Sequence, residues 1–596
     1  MSYDVFISYH RATHLPQAEA LHQALLAQGL RVFKDDAVLR ASEQWMAELG
    51  TAAQSCRRFV VLLGPRGLER WVGAETSIAL NRYFGQHEAA QRPQIVPVLL
   101  PGAPDLGTLP FLGLLQGVTW IEGAPPEALL VALTRPLADA PDHADLPAEA
   151  MLRPDECPWV GLAAFQKEQA QRFFGRERDV LAALDRLGRA PDTAALALVE
   201  GPASGLAASV GQADSTAPYR RWLHIVGGSG SGKSSLMRAG LLPLIEQGAL
   251  SARTGLDEWI VTEPMLPGTD PLVALAEVLA PALQEKSLDL LDKLRNGPPE
   301  TLRLWLRDAL RQRQAQTPCG VLLVIDQFEE LFTLSAAPAR ERLDLLLHEA
   351  LTAPASPLHL VSTCRSDYQH RIADDLPRLA GLLNTLTSTY TLTPMDAAGL
   401  RQAITAPARL GRMQVHHELV QALLDDAAED PAAALPLVQH AMETLWLRRP
   451  RGANAPAELT LAQFDALGRL GGLLAAEADR LLASLGDARS ALHKGALELL
   501  SALAHYHPEG RHTRQSLSWE QACRQAGQGF QPAELERGQK VLDLLSGLRH
   551  DSAEQTARLR LVTLSGSAAD ATSADTRRVD LIHEALLRSR AASKLG

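Results

Sequence analysis

A glycine-rich stretch near the middle of the chain has the residues and spacing that bind phosphate. The sequence WLHIVGGSGSGKSSLMRAGLL contains G-x-x-x-x-G-K-S between an apolar strand pattern and a helical pattern, flanks that a chance match in a flexible loop would lack. Glycines let backbone N–H groups face phosphates, and a helix N-terminus adds partial positive charge. The lysine neutralises β- and γ-phosphates and the serine holds Mg²⁺. The candidate ATP-binding residues here are Gly227, Gly230, Gly232, Lys233, Ser234 and Ser235, with Ser234 as a metal ligand.

A second apolar run ends in a carboxylate. Val321 to Ile325 is followed by Asp326 and then by QFEELF. A carboxylate at the end of such a strand can hold the Mg²⁺ shell, so Asp326 is the second candidate metal ligand. Glu329 and Glu330 are candidates to polarise an attacking water, although acidic residues are also favourable at an ordinary helix start. Gln327 cannot accept a proton, so slow ATP turnover is expected unless one of the glutamates acts as the base.

An arginine follows a third apolar run. Leu358 to Thr363 leads to Cys364 and Arg365. An arginine at a strand end can contact the γ-phosphate of ATP and so report its presence. The alternative is a surface arginine paired with Asp367.

The elements that must position these residues follow an α/β pattern. From Trp222 to about Thr393 strand and helix patterns alternate, and from Asp396 onward the pattern is mainly helical. Between them and the N-terminal part lie a linker rich in Pro, Ala and Asp at 136–158 and a Gly/Ala/Ser-rich loop at 201–218. No internal repeat of 20–50 residues is found.

The first 135 residues form a separate alternation of strands and helices. Five apolar strands separated by helices predict a parallel sheet covered on both faces. Helical spacing is found over Leu15 to Gln28 and over Trp71 to Phe84. The strands are predicted at Tyr3 to Tyr9, Leu30 to Phe33, Arg58 to Leu63, Ile95 to Leu100 and Gly117 to Ile121.

Composition excludes several classes of protein. A chain of 596 residues is too long for one core, and its net charge of −11 disfavours broad binding to nucleic acid or to an anionic membrane. Its five cysteines are scattered and show no C-x-x-C spacing, which favours reduced thiols over a disulfide frame or a zinc site. The N-terminus lacks a signal-peptide pattern, and no apolar run reaches the roughly 18 residues of a membrane span. We therefore expect a cytoplasmic protein.

The order of motifs from Cys157 to Ser589 resembles the bacterial STAND NTPases, which are related to the NACHT and apoptotic-ATPase families. The matching blocks are CPWVGLAAFQKEQAQRFFGRERDVLAALDRL, the P-loop, VIDQFEELF, STCRSDY, LTPMDAAGLRQAITAPARLG, LPLVQHAMETLW and VDLIHEALLRS. The resemblance implies nucleotide-binding, helical and winged-helix domains, closed around ADP at rest and opened on exchange for ATP. It also implies that His583, in the HEAL segment, reaches the bound ADP; the alternative is an ordinary histidine on a helix surface.

The N-terminal part resembles TIR domains, which implies a flavodoxin-like fold. The blocks are YDVFISYHR, GLRVFKDD, RRFVVLLGPRGLERW and the pair Trp71-x-x-x-Glu75. TIR domains assemble as adaptors or cleave NAD⁺ at the nicotinamide–ribose bond, and the resemblance implies that Glu75 is catalytic. Cleavage of this bond develops oxocarbenium character on the ribose, which a carboxylate stabilises. The alternative is an ordinary exposed glutamate in an amphipathic helix, whereas the helix face predicted to be shared by Trp71 and Glu75 favours the catalytic role.

Four further residues are candidates to line the NAD⁺ pocket. They are Tyr9, Arg11, Trp45 and Trp71. Tyr9 and Trp45 could equally be core aromatics. Many related TIR domains have Pro-Gly after the second strand, whereas this chain has Ala41-Ser42, which changes the backbone preference of that loop.

The sequence therefore predicts a TIR–STAND protein of bacterial, antiphage type. The predicted domains are a TIR domain (1–136), a linker (137–158), a P-loop NTPase domain (159–395), a helical domain (396–490) and a winged-helix-like domain (491–596). ATP-dependent homo-oligomerisation through the TIR and NTPase domains, triggered by an unknown ligand or protein, would switch on NAD⁺ hydrolysis. ATP/ADP and Mg²⁺ are the expected cofactors and NAD⁺ the substrate. The rivals are a non-catalytic TIR scaffold and a STAND-type transcription regulator, the latter disfavoured by the acidic charge.

Overall fold

The computed structural model describes most of the chain. The described residues are 3–34, 56–65, 93–103, 117–135, 152–153, 155–189, 219–228, 230–256, 258–313, 318–354, 356–383, 385–429, 431–450, 458–473, 482–483, 485–487, 489–506, 512–514, 516–546, 561–565 and 578–581. The helix predicted over 71–84 and the loop predicted over 201–218 lie outside them.

Five parallel strands form the first sheet, in the order β2-β1-β3-β4-β5. The strands are β1 (Val5–Ser8), β2 (Val32–Lys34), β3 (Arg58–Leu63), β4 (Gln94–Leu99) and β5 (Val118–Thr119). This is the strand order of flavodoxin-like folds, so the predicted fold class is confirmed. The central strand β3 is buried throughout, as a parallel strand with both faces covered should be, and it occupies the predicted residues.

Two described helices flank this sheet, α1 (Arg11–Ala27) and α2 (Glu127–Thr134). Helix α1 begins four residues before the predicted start, because the N–H groups of Thr13 and His14 already donate to the His10 carbonyl. It is followed by Gly29 at φ +79°, the predicted stop, where the left-handed backbone favours glycine. The core between helices and sheet is made of Val5, Ile7, Tyr9, Ala18, Leu21, Leu25, Val32, Val60, Leu62, Val96, Val98, Leu100, Trp120, Leu129 and Leu133.

The second sheet also has five parallel strands, in the order β10-β6-β9-β8-β7. They are β6 (Trp222–Gly227), β7 (Glu258–Val261), β8 (Cys319–Ile325), β9 (Leu358–Arg365) and β10 (Thr387–Leu392). Strand β9 lies between β6 and β8, with Gly227 paired to Arg365 and Ile325 paired to Ser362. The three chain segments predicted to bind nucleotide therefore leave the sheet at the same edge.

Helices cover both faces of the second sheet. After β6, helix α4 (Lys233–Ser235) continues through a π-helical segment (Leu236–Leu241) into α5 (Leu242–Glu246). The others in this part are α3 (Glu177–Leu184), α6 (Ser251–Thr254), α7 (Pro271–Ala282), α8 (Ser287–Asn296), α9 (Thr301–Gln312), α10 (Glu330–Thr333), α11 (Ala337–Thr352), α12 (Arg371–Asp375) and α13 (Pro377–Ala380).

A helical part follows the second sheet, as predicted. It contains α14 (Ala397–Leu410), α15 (His417–Glu429), α16 (Pro431–Arg448) and α17 (Leu461–Ala466), with a two-stranded sheet of β11 (Gln414–Val415) and β12 (Glu458–Leu459). The helices pack on a common core that includes Ile404, Leu423, Val438 and Phe464. Trp159, from far earlier in the chain, is buried in the same core.

The last part combines three helices with short strands. Helices α18 (Ala491–Ala502), α19 (Trp519–Gly527) and α20 (Pro532–Leu545) pack on a three-stranded antiparallel sheet in the order β15-β17-β16. The strands are β13 (Ala504–Tyr506), β14 (His512–Arg514), β15 (Leu517–Ser518), β16 (Val562–Ser565) and β17 (Arg578–Leu581), of which β13 and β14 form a separate pair. This element order is compatible with a winged-helix-like domain, which stays a prediction.

Residues 155–176, here named the connecting segment, join the nucleotide-binding and helical parts. Its Trp159 is buried with the helices, whereas its Phe165 and Phe173 belong to the core beside β6. Just before it, Leu152 is buried and donates its N–H to the Leu410 carbonyl, 3.0 Å away. The end of the predicted linker is thus packed rather than extended, because Leu152 and Trp159 bury apolar surface there.

No helix among the described residues is both long enough and apolar enough to span a membrane.

Candidate functional site

The phosphate-binding loop has the backbone that its glycines predict. Strand β6 ends at Gly227, and helix α4 starts at Lys233. Gly230 and Gly232 adopt φ of +75° and +93°, a left-handed backbone that other residues rarely tolerate. The turn therefore delivers the start of a helix, whose first N–H groups lack intrahelical partners, to the edge of the sheet.

A side chain would be crowded at two glycines of the motif, severely at Gly227 and more mildly at Gly232. A Cβ on Gly227 would lie 2.8 Å from the Leu392 carbonyl oxygen and 2.9 Å from Ser231 Oγ. A Cβ on Gly232 would lie 3.2 Å from a methyl carbon of Leu435 in helix α16. The helical part therefore covers the phosphate-binding loop, which the sequence motif alone did not indicate.

Lys233 lies across the loop with its ammonium group on backbone carbonyls. Its Nζ donates to the carbonyl oxygens of Gly227 at 3.0 Å and Gly228 at 2.8 Å. Burial lowers the pKa of Lys233, and the nearby Glu329 carboxylate acts in the opposite direction. The Lys233 ammonium group is thus held against the loop backbone, where an anionic phosphate can replace the carbonyl oxygens of Gly227 and Gly228 as its acceptor.

Asp326 is the point at which the predicted site residues meet. Its carboxylate is only 1% exposed, and its Oδ1 accepts a hydrogen bond from Ser234 Oγ at 2.8 Å. The same oxygen accepts from the hydroxyl of Thr363, at the end of β9, and from the backbone N–H of Gln327 at 3.1 Å. The two predicted metal ligands, 92 residues apart in sequence, are therefore in direct contact.

The other oxygen of Asp326, Oδ2, accepts hydrogen bonds from an arginine that the sequence analysis did not single out. Arg238 donates to Asp326 Oδ2 from Nε at 3.1 Å and from an Nη at 2.8 Å. Arg238 follows Ser234 by four residues along the helix, so both side chains share one face. The spacing alone does not identify Arg238 as a partner of Asp326, because it fits many other roles on a helix.

The two candidate glutamates face different partners. Glu329 is half-buried, accepts the N–H of Arg365 at 3.2 Å, and burial raises its pKa. Glu330 is buried and accepts the N–H of Gly268 at 3.0 Å. Because Glu329 interacts electrostatically with Lys233 and a raised pKa suits a general base, the geometry favours Glu329 over Glu330.

Arg365 is paired with Asp367, as the alternative interpretation of this arginine predicted. Its Nε and an Nη donate to the two carboxylate oxygens of Asp367, at 3.0 and 2.7 Å, and its guanidinium lies over the ring of Tyr368. The strand register still places Arg365 beside Gly227. A role in sensing the γ-phosphate stays a prediction, and it requires the guanidinium to exchange Asp367 for a phosphate.

The connecting segment touches the phosphate-binding loop directly. The Phe165 N–H donates to Ser235 Oγ at 3.1 Å. The buried Arg176 donates to the Ser231 carbonyl at 2.9 Å and to Asp179 at 2.8 Å. Ser235 thus accepts a hydrogen bond from the protein's own backbone, and the connecting segment is hydrogen-bonded both to the loop and to the helix that follows it.

These residues fit a magnesium nucleotide. The left-handed glycines leave a cradle at the start of a helix, Lys233 supplies a cation, and Ser234 and Asp326 supply two oxygen ligands on one side of it. Mg²⁺, when bound here, would neutralise phosphate charge. Among the described residues no group of three His, Cys, Asp or Glu side chains is arranged to hold a metal by itself.

Two buried histidines lie in the strands below the loop. His224 of β6 is fully buried, and its Nδ1 lies 2.7 Å from Ser362 Oγ. His359 of β9 is also fully buried, with Nε2 2.8 Å from the Tyr219 hydroxyl. Burial lowers the pKa of His224 to about 4 and that of His359 to about 3. Both are therefore neutral in the folded protein at pH 7.

We expect acid to destabilise the nucleotide-binding part through these histidines. Their pKa values are lower in the folded chain than the roughly 6.5 of an unfolded one, so their stabilisation is complete above pH 6.5 and is lost as the pH falls toward 4. For His224 the loss at pH 4 is on the order of 3 kcal/mol. The thermal midpoint of wild type and His224→Gln, measured at pH 7 and pH 5, checks this, and the variant should show the smaller pH dependence.

The matched control is His348→Gln, which changes a partly exposed histidine of helix α11. It should keep the pH dependence of the wild type. An equal pH dependence in His224→Gln and wild type would contradict the assignment to His224.

The described part of the first sheet contains two of the predicted NAD⁺-pocket residues. Tyr9 is 6% exposed and packs in the core with Val5 and Leu21, which favours the core interpretation for its ring. Arg11 is the first residue of helix α1, at the carboxyl end of β1. Glu75, Trp45 and Trp71 lie outside the described residues, as does His583.

The structure thus brings the predicted ATP-binding residues from Gly227 to Arg365 to one edge of one sheet. Sequence reasoning missed four participants, although all four lie in segments that it quoted as motifs. They are Arg176, Thr363, Leu435 and Arg238. All four act through tertiary contacts rather than through a motif position.

Comparison with known proteins assigns a family to each of two parts of the chain. Residues 158–591 match the family model described as novel STAND NTPase 1, and residues 5–129 match that of the TIR domain. No curated protein matches the chain. Among solved structures it is similar to the Aeropyrum pernix ORC1 protein in complex with DNA, at 15% identity and a TM-score of 0.34, over 71% of this chain and 95% of that one. The ORC2 protein of the same organism, as ADPNP–ADP complexes, follows at 13% identity and a TM-score of 0.30, over 63% and 88%.

Proposed function

The chain belongs to the novel STAND NTPase 1 family and carries a TIR domain ahead of it, and from that premise we propose a nucleotide-switched bacterial defence protein. Bound ADP holds the resting chain closed. Exchange for ATP with Mg²⁺, prompted by an activating ligand or protein, opens it, and opened chains form a homo-oligomer through their TIR and NTPase domains. The assembled TIR domains hydrolyse NAD⁺, and the loss of NAD⁺ arrests an infected cell.

The observation that carries the switch is the contact set around Asp326. Ser234, Thr363 and Arg238 come from two separate chain regions and converge on this one buried carboxylate. Protein donors occupy both oxygens of Asp326 here, and in the proposal a bound phosphate and metal would change the partners within this network. Because a ligand shifts a two-state equilibrium only through its different affinity for the two states, a network that changes partners is a suitable element for a switch.

A slow ATPase suits this role. The residue after Asp326 is Gln327, whose backbone is left-handed at φ +54° and whose side chain cannot accept a proton. Glu329 is a further acidic group near Lys233, and its carboxylate accepts the N–H of Arg365, a contact that holds it at the edge of the site. A switch that hydrolyses slowly keeps its ATP state long enough to assemble.

One experiment tests the proposal as a whole. The full chain is incubated with ADP and then with a non-hydrolysable ATP analogue, and molecular size and NAD⁺ consumption are measured in the same samples. We expect a small, inactive species with ADP and a larger, NAD⁺-consuming species with the analogue. Assembly without NAD⁺ consumption would support the scaffold alternative, and NAD⁺ consumption that ignores the nucleotide would contradict the switch.

The resting state makes a separate prediction about His583, the residue that the family resemblance assigns to bound ADP. His583→Ala should retain less ADP through purification and should consume NAD⁺ without an activator, because a contact made only in the closed state is lost. The nucleotide content of the purified protein and its basal NAD⁺ consumption are the two readouts. If both equal the wild-type values, His583 has no part in the closed state.

A further inference from the structure

We propose that Arg238 acts as a built-in counter-cation for Asp326, so that the chain retains a nucleoside diphosphate without Mg²⁺ and Mg²⁺ binds only against competition from this arginine. The inference rests on the proposed nucleotide site and specifies how strongly ADP binding at that site depends on Mg²⁺. Arg238 is a positioning residue in this account, because it acts through Asp326 and not on the phosphates.

The geometry of the pair is the first argument. Two N–H groups of Arg238 converge on Asp326 Oδ2, at 3.1 and 2.8 Å, in a charge-assisted pair. Asp326 is 1% exposed and Arg238 is about one-fifth exposed. A carboxylate so far from water needs a compensating charge at all times, and a guanidinium, which never loses its proton, supplies it permanently.

The second argument is that the other oxygen is also satisfied by protein. Asp326 Oδ1 accepts from the hydroxyls of Ser234 and Thr363 and from the N–H of Gln327. The carboxylate is therefore complete without a metal. A divalent cation that approaches Ser234 meets a carboxylate whose charge is already neutralised, and it meets the positive charge of Arg238 as well.

The third argument concerns how firmly Arg238 is held. Its remaining Nη donates to Gln166 Oε1 in the connecting segment at 2.9 Å. The adjacent residue, Phe165, donates its N–H to Ser235 Oγ. The guanidinium is thus held by Asp326 on one side and by the connecting segment on the other, so it is pre-organised on Asp326.

The scarcity of other acidic groups strengthens the competition. Among the described residues, Glu329 is directed to the N–H of Arg365, and Asp367 is paired with the guanidinium of the same arginine. No described set of three acidic, histidine or cysteine side chains could hold the ion. Asp326 is therefore the carboxylate on which Mg²⁺ depends here, and Arg238 already occupies it.

The test measures ADP affinity by calorimetry on the full chain freed of nucleotide, once with excess EDTA and once with millimolar Mg²⁺. The wild type should bind ADP with affinities that differ by less than about threefold between the two conditions. Arg238→Gln leaves Asp326 without its cation, so Mg²⁺ should raise its ADP affinity by about tenfold or more, the size expected for one charge-assisted contact. Arg238→Lys keeps the charge and should behave like the wild type.

Three results would overturn the inference. They are a wild type that needs Mg²⁺ for tight ADP binding, an Arg238→Gln variant that stays indifferent to Mg²⁺, and a lysine variant as dependent on Mg²⁺ as the glutamine variant. The first result is measured on the wild type, so the inference can be contradicted even if the Arg238→Gln protein is too unstable to study. A wild type that binds no ADP in either condition would instead refute the nucleotide site itself. Arg307→Gln, which changes an exposed arginine of helix α9 that is paired with Asp308, is the matched control and should remain indifferent to Mg²⁺.

Discussion

Replacing Lys233 by alanine is expected to weaken the binding of both ADP and ATP by roughly 10²-fold or more. The Nζ of Lys233 makes two hydrogen bonds to loop carbonyls, at 3.0 and 2.8 Å, and a phosphate would take over these donors as charge-assisted bonds. The loop backbone should survive the substitution, because its conformation is set by glycines at φ +75° and +93° rather than by the lysine. Calorimetric titration of the wild-type and variant proteins measures the effect.

The control for this experiment is a lysine of the same part of the chain that has no contact with the loop. Lys167 forms an exposed ion pair with Glu246 at 2.8 Å, and such pairs contribute about 1 kcal/mol or less. Lys167→Ala should therefore bind nucleotide as the wild type does. Equal affinities for wild type and Lys233→Ala would remove the basis for the phosphate site.

The sequence predicted best those elements whose residue types fit only one kind of secondary structure. The segment RFVVLL at β3 contains the apolar run FVVLL between Arg58 and Gly64-Pro65, and the strand occupies Arg58 to Leu63 as predicted. The segment predicted over Val321 to Ile325 extends two residues further back, to Cys319. Apolar runs mark buried parallel strands clearly, whereas strand ends depend on the pairing with β7, which begins opposite Cys319.

Only those residues of the candidate site that occupy defined motif positions could be predicted from the sequence. The contact between Ser234 and Asp326 follows from two motifs that are known to act together, but the role of Arg238 does not, because a helix position four residues on has many equivalent uses. Leu435 is a stronger case, since nothing local shows that a leucine two hundred residues later covers Gly232. Such contacts arise from the packing of whole elements, which short-range patterns do not encode.

The two glutamates after Asp326 show the same limit at shorter range. Glu329 and Glu330 are adjacent and chemically identical, so their order in the sequence cannot separate them. What separates them is the turn at Gln327, whose φ of +54° redirects the chain before helix α10 begins. One carboxylate then reaches the N–H of Arg365 at the site, and the other reaches the N–H of Gly268.

The family match to TIR domains covers residues 5–129 and so includes Glu75, on which the proposed enzymatic activity depends. The described sheet supplies the frame for such a site, since parallel strands carry their functional loops at the carboxyl ends, where Arg11 begins α1 after β1. The spacing Trp71-x-x-x-Glu75 still predicts that the two side chains share one face of a helix.

Glu75→Gln is expected to remove NAD⁺ cleavage while folding, nucleotide binding and assembly persist. Glutamine is nearly isosteric with glutamate, so packing should be kept, but the negative charge that would face the developing oxocarbenium ion is lost, at a cost of about 10²–10³ in rate. The assay must use chains assembled with the ATP analogue, because the proposed activity requires assembly. Glu127→Gln, which changes an exposed glutamate at the start of α2, is the matched control and should cleave NAD⁺ at the wild-type rate. If assembled Glu75→Gln cleaves NAD⁺ as fast as wild type, another residue carries the reaction, and if the assembled wild type leaves NAD⁺ intact, the TIR domain acts by recruiting a partner.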